Sequence, residues 1–392
     1  MTKRVVRMLG LAAGLTLING CGTTEPELAA ALASVNAGIL HSCGLTADGV
    51  AFCWGWNRDG QLGNGSDGDV DVPVSVRGGL MFDEISAGGG HTCGISGGSV
   101  YCWGFNENGQ LGTGNTESAA QPVQVQGSSF TQVSVAGSTS CGVNTGGDAM
   151  CWGWNANGQL GDGTMDDRST PTLVSGGLDF DQVSAGGFHA CGLTSTGEVY
   201  CWGRNDSGQL GDGTTDASAT PVAATGGLTF RFVEVGLEHS CAITTDDALY
   251  CWGKNLFGQL GVGSGSIAQD PTAVSDGDDY ATVSAGGAFT CGVRNDGAGM
   301  CWGFAASGQL GTAAADTCTD TNALQFPCSF VPIAIQGGLT FMDVTASNQH
   351  ACGIAVGNAA YCWGLGDRGQ LGNGNSGTNY LTIEPVRVSG QP

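Results

Sequence analysis

Basic residues are scarce in this chain, with 12 Lys and Arg against 35 Asp and Glu. A surface this acidic repels phosphate backbones and anionic lipid heads, which excludes nucleic acid as a partner. Proline is rare, at 10 of 392 residues, and nothing beyond residue 20 keeps a helical hydrophobic period for ten residues. A helical or mixed α/β architecture is therefore not expected. The five histidines all fall in one repeated slot, leaving none as the free base of a Ser-His-Asp triad. What the chain has in abundance is glycine, 71 residues, with 17 Cys and 9 Trp. So many large apolar side chains can bury a core, so the glycines mark turns rather than disorder.

The first residues read as an export signal. Lys3, Arg4 and Arg7 precede an apolar run from Met8 to Ile18, too short to span a bilayer. The run ends Leu17-Ile18-Asn19-Gly20-Cys21, which is similar to a bacterial lipobox, where the Cys is diacylated and becomes the mature N-terminus. Residues 1–20 are thus expected to be a lipoprotein signal peptide, Cys21 the lipidation site, and 21–31 a lipidated tether. This places the protein in the cell envelope, at the outer membrane or cell surface, touching membrane only through the lipid. Losing the three signal cations takes the net charge from −23 to −26 and leaves Lys254 as the only lysine.

Self-similarity governs the rest. Cys-Trp-Gly occurs seven times, beginning at Cys53, Cys102, Cys151, Cys201, Cys251, Cys301 and Cys362, and Gly-Gln-Leu-Gly follows each. A proline then opens a short apolar run in every repeat: Pro73, Pro122, Pro171, Pro221, Pro271, Pro332 and Pro385. In the fourth repeat, alternation and Gly-rich punctuation predict strands at Phe180–Val183, His189–Leu193, Glu198–Trp202 and Pro221–Ala224. Four antiparallel strands repeated seven times describe an all-β, closed seven-bladed β-propeller over 32–392, with an insertion at 313–330. The terminal repeats look like the internal ones, whereas an open solenoid would need capping ends.

The pattern Ala-Gly-x-x-His-x-Cys-Gly-Leu-Thr, then Tyr-Cys-Trp-Gly-x-Asn-x-x-Gly-Gln-Leu-Gly-x-Gly, resembles the regulator of chromosome condensation repeat over roughly 32–390. The resemblance implies a seven-bladed propeller. It also implies the family's founding activities, guanine-nucleotide exchange and chromatin binding. Export, acidity and the missing basic tail argue against both. Two departures stand out: cysteines occupy small apolar positions on the second and third strands, and the Asn after Trp-Gly becomes Ala305 and Gly366.

Cys21 set aside, sixteen cysteines remain. Fourteen flank hairpin turns as Cys43/Cys53, Cys93/Cys102, Cys141/Cys151, Cys191/Cys201, Cys241/Cys251, Cys291/Cys301 and Cys352/Cys362, and Cys318/Cys328 sit in the insertion. Facing positions on adjacent antiparallel strands are within disulfide reach, and an exported chain is where such bonds persist. The competing reading is buried free thiols. His41, His91, His189, His239 and His350 precede the blade Cys by two residues, but Thr139 and Phe289 replace them in two repeats that keep both cysteines. That argues against zinc, so the histidines are expected to bridge backbone groups between blades. No metal and no cofactor is expected.

Catalytic motifs dissolve on inspection. Gly94–Gly98 matches Gly-x-Ser-x-Gly but falls on a hairpin turn rather than a strand–turn–helix. Gly63–Gly68 and Gly372–Gly377 match Gly-x-Gly-x-x-Gly without a following helix. Asp67, Asp69 and Asp71 alternate like a calcium loop, yet Val72 stands where its glycine belongs. No catalytic residue is assigned, and no set of channel carboxylates can be picked out from sequence. What remains is a monomeric, non-enzymatic binding propeller for a protein or glycan partner. The alternatives are a propeller hydrolase or lyase using channel carboxylates and, by family analogy, nucleotide exchange. The candidate surface is the face carrying the third connection of each repeat, the longest one. Directly after Cys-Trp-Gly stand Trp56, Phe105, Trp154, Arg204, Lys254, Phe304 and Leu365, and the stapled insertion adds Leu324, Phe326 and Phe330.

Overall fold

The computed structural model describes residues 28, 30–127, 129–314 and 316–392; Cys21, the signal and most of the tether lie outside the described residues. Those residues form seven antiparallel sheets and no helix. The fourth blade shows the plan: Phe180–Ala185, His189–Thr194, Val199–Gly203 and Ser218–Ala223, each paired with the next in chain order. Val, Thr, Phe and Tyr populate the strands, and Gly or Asp makes the turns, as a pleated, half-buried surface requires.

Each core lies between blades rather than within one. Cys141, Val143 and Leu160 of the third blade pack with Phe180, Val183 and Trp202 of the fourth, and six further clusters repeat the arrangement. The seven Cys-Trp-Gly tryptophans are fully buried. Each indole N–H donates, at 2.9–3.0 Å, to the carbonyl of the Gln in the preceding blade's Gly-Gln-Leu-Gly. The two motifs of one repeat therefore serve opposite neighbours. The last glycine of the loop motif explains itself here: Gly63, at φ 68°, lies where a Cβ would sit 2.7 Å from the Trp103 indole nitrogen.

The ring closes without strand exchange. The seam between the seventh and first blades repeats the other interfaces, with Trp54 donating to the Gln370 carbonyl at 3.0 Å and Gly374 N–H to Asp71 O at 2.8 Å. Leu28, inside the expected tether, is buried in that seam with Leu32, Trp54 and Val388.

Two expectations need correction. The proline does not open the fourth strand; it sits inside it, as Pro221 does in Ser218–Ala223. That strand is the outer edge of its blade, where a missing outward N–H breaks no ladder and discourages pairing with another chain. The sixth blade has five strands rather than four. Part of the insertion forms Asp316–Thr319 and pairs with Gln325–Ala334, which also pairs with Gly299–Phe304.

Candidate functional site

The first and third connections share one face. The residue after each Cys-Trp-Gly donates its N–H to the first connection of its own blade: Trp56 to Leu40 O, Arg204 to Phe188 O, Lys254 to Glu238 O, all at 2.9–3.0 Å. Trp56, Phe105, Trp154, Arg204, Lys254, Phe304 and Leu365 thus form a ring on that face, one residue per blade beside the first connection, and all seven are part-exposed.

Asparagine holds the long connections in blades one to five. Asn57 Nδ2 donates to Ser66 O and Gly68 O, both at 3.1 Å, and its Oδ1 accepts from Leu62 N–H at 3.0 Å. The two blades without it have substitutes. Ala305 N–H donates to Pro327 O in the insertion, and the Tyr380 ring fills the space where Gly366 would carry a Cβ.

Half of the ring is a connected belt. Trp154 meets Phe188 edge-on at 5.9 Å, and Arg204 lies 5.3 Å above the Phe188 ring. Arg204 pairs with Glu238 at 3.2 Å, and Glu238 also pairs with Lys254. Next along, Phe304 and Phe326 are 5.5 Å apart, with Phe257 against both. Phe330 instead packs on the glycines of the fifth blade's connection. Sequence reasoning missed Phe188, Glu238 and Phe257. The first two stand immediately before the blade His, a slot that varies as freely as the ring itself.

The histidines do not bridge backbone groups directly. His41, His91, His189, His239 and His350 meet Thr92, Ser140, Ser240, Thr290 and Ser42 of the next blade, each at 2.8 Å. Each hydroxyl spends its proton on the neighbouring Gln carbonyl at 2.7–3.0 Å, so the histidine Nε2 carries the donated hydrogen. Nδ1 is then a lone pair, unpartnered in four of the five. Burial pushes all five down to about 3, so they stay neutral.

The channel carries carboxylates that the sequence did not reveal. First strands line a cavity of about 450 Å3 that includes Glu84, Gln132, Gln182, Glu234 and Asp343. Burial raises Glu84 to about 7; burial and then Asp343 raise Glu234 to about 8, and burial raises Asp343 too.

The cysteines pair across facing strands, Cys43 with Cys53 and so on through Cys352 with Cys362, at Cα–Cα distances of 4.0–4.1 Å; Cys318 and Cys328 are 5.8 Å apart. Among the described residues no group of three or more His, Cys, Asp or Glu could hold a metal.

Seven radial blades, joined by one Trp–Gln bond per interface, define a repeat propeller that presents a loop ring. The regulator of chromosome condensation (RCC1) repeat matches residues 48–95, 97–143, 147–193, 196–243, 246–293 and 358–392, so the chain belongs to that family. Among solved structures it is similar to Prp20p from Saccharomyces cerevisiae (23% identity, TM-score 0.77, 90% of this chain and 87% of that one). Human WBSCR16 is also similar (21% identity, TM-score 0.74, 87% and 94%). The ultraviolet-B receptor UVR8 of Arabidopsis thaliana is 41% identical over 46 residues, which span 12% of this chain and 10% of that receptor.

Proposed function

We propose that this protein is a non-enzymatic interaction propeller, held in the cell envelope through a lipid on Cys21, that grips a protein or glycan partner with its long-loop face. The observation that carries the reading is the part-exposed ring on the long-loop face, whose backbone is pinned at every blade. Rigid presentation lowers the ordering cost of binding, and Trp, Phe and Arg are enriched at interface cores. One family propeller of solved structure, Prp20p, binds Gsp1p and histones and has been seen bound to Kap60. Eight disulfides fit an exported chain.

A photo-crosslinking residue in place of Phe105 or Trp154, in cells, should give one discrete protein or glycan adduct. The same residue at Val356, an exposed hairpin turn on the opposite face, should give none. Equal labelling from both faces, or none from either, refutes the reading. Cys21→Ser should move the protein from the membrane to the soluble fraction with unchanged melting. The channel carboxylates favour a second reading, acid–base chemistry in the axial cavity. Any hydrolase activity lost in Glu234→Gln but kept in Trp154→Ala would establish it.

A further inference from the structure

The fifth blade breaks a rule that the other six keep. The position before Gly-Gln-Leu-Gly is polar elsewhere, as Asp59, Asn108, Asn157, Ser207, Ser307 and Arg368, but here it is Phe257, preceded by Leu256. Phe257 leans on Phe304 and Phe326, at 4.9 and 6.1 Å between centroids. The inserted hairpin supplies the other side. Phe304 faces Cys328 and Cys318 faces Phe326 across the ladder, so the staple lies beside the rings and is buried by them. Leu324 at the hairpin tip is 57% exposed, and Ile267, closing the fifth connection, is 50% exposed. Water-facing apolar side chains collected on one rigid corner are an expected signature of a partner site.

Charge says what kind of partner. The third connections (56–69, 105–118, 154–167, 204–217, 254–267, 305–324, 366–380) hold 14 Asp or Glu and 4 Lys or Arg. The fifth holds no carboxylate at all and carries Lys254, which is occupied by Glu238. The face is thus an apolar corner flanked by acidic loops. A second copy of this chain, at net charge −23, would bring like charges together.

Resting on the interaction reading above, we propose that the corner between blades five and six is an anchor subsite for a cationic protein. An apolar side chain of that partner seats against Phe257, Phe326 and Leu324 while its Lys and Arg side chains meet the neighbouring acidic connections.

The probe is a synthetic dodecapeptide of lysines flanking a central Trp-Leu pair, titrated by fluorescence anisotropy at physiological salt. Phe257→Ser installs the residue that the fourth and sixth repeats use, and Leu324→Ser changes an exposed tip, so both should fold. The first should have a modestly lower melting temperature from the lost ring contacts, and the second unchanged melting. Each should weaken the peptide at least tenfold, as should replacing the peptide's Trp-Leu by Ser-Ser or its lysines by glutamates. Unchanged affinity in both protein variants overturns the anchor, as does equal binding of the Ser-Ser or glutamate peptide. If Trp56→Ala and Trp154→Ala abolish binding while Phe257→Ser does not, the anchor falls and the loop-face reading stands. If none of the four substitutions matters, both fall. A dimer in sedimentation that Leu324→Ser dissociates would replace the cationic partner with a second copy.

Discussion

Where a histidine is missing from one blade, the hydroxyl it would meet is missing from the next. Thr139 of the third blade is followed by Ala190 in the fourth, and Phe289 of the sixth by Ala351 in the seventh. The physical reason is the cost of a buried polar group without a partner, about 1–3 kcal/mol, against a nearly neutral exchange when both partners turn apolar. Ser240→Ala should accordingly destabilise by about 1–3 kcal/mol, since it strands the His189 Nε2–H. His189→Phe with Ser240→Ala, copying the Phe289/Ala351 interface, should recover most of that loss in urea unfolding. Additive losses would show that the two residues are not coupled. This pairing was legible: one chain holds seven copies, and the slot after the histidine changes with the histidine in the preceding repeat. The correlation is hidden within any single repeat because the hydrogen bond joins two adjacent blades.

At the scale of the element, hairpins and turn chemistry are written locally, and sequence reading placed the inner three strands of a blade to within about two residues. The fourth strand and the sixth-blade insertion were harder. Ser218–Ala223 is a polar edge with a proline inside it, which lacks the alternation that marks a half-buried strand. The insertion hides its ladder behind Pro327 and a disulfide, and reads as a loop. The channel carboxylates were illegible for another reason. Glu84, Glu234 and Asp343 meet only when first strands of the second, fifth and seventh blades converge on the axis. The blade disulfides each close a loop of about ten residues, for which the chain-entropy model gives roughly 2–3 kcal/mol. Cys191→Ala with Cys201→Ala should therefore cost about that much. Thiol titration of the denatured, unreduced mature protein should find essentially no free thiol and, after reduction, sixteen. A count near fourteen before reduction would refute the pairing of the blade cysteines.

At the scale of the whole molecule, interface histidines and channel carboxylates pull stability in opposite directions with pH. The five histidines titrate near 3 when folded and near 6.5 in model peptides. As pH falls below about 6.5 the unfolded chain takes up protons that the folded ring refuses, so stability is lost toward acid. Glu84 and Glu234 behave oppositely. Their folded values of about 7 and about 8 lie above the ordinary carboxyl range, so the folded state holds protons that the unfolded state has released. That contribution is present in full below about pH 4.5 and is lost as pH rises through about 7 and 8. Between about pH 4.5 and 6.5 five histidines outnumber the three raised channel carboxyls, Glu84, Glu234 and Asp343, so acid wins and the fold weakens. Above that window Glu84 and Glu234 release the protons that the folded state holds, and the fold weakens toward alkali. Melting temperature should therefore peak between about pH 6 and 7 and fall on both sides, more steeply toward acid. Glu234→Gln removes the alkaline contribution of the highest-titrating channel carboxyl and should flatten that limb while leaving the acid limb in place. Melting that climbs steadily down to pH 4 would show that the histidines are not held neutral by the blade interfaces. An alkaline limb identical in Glu234→Gln would show that the channel glutamate does not hold its proton.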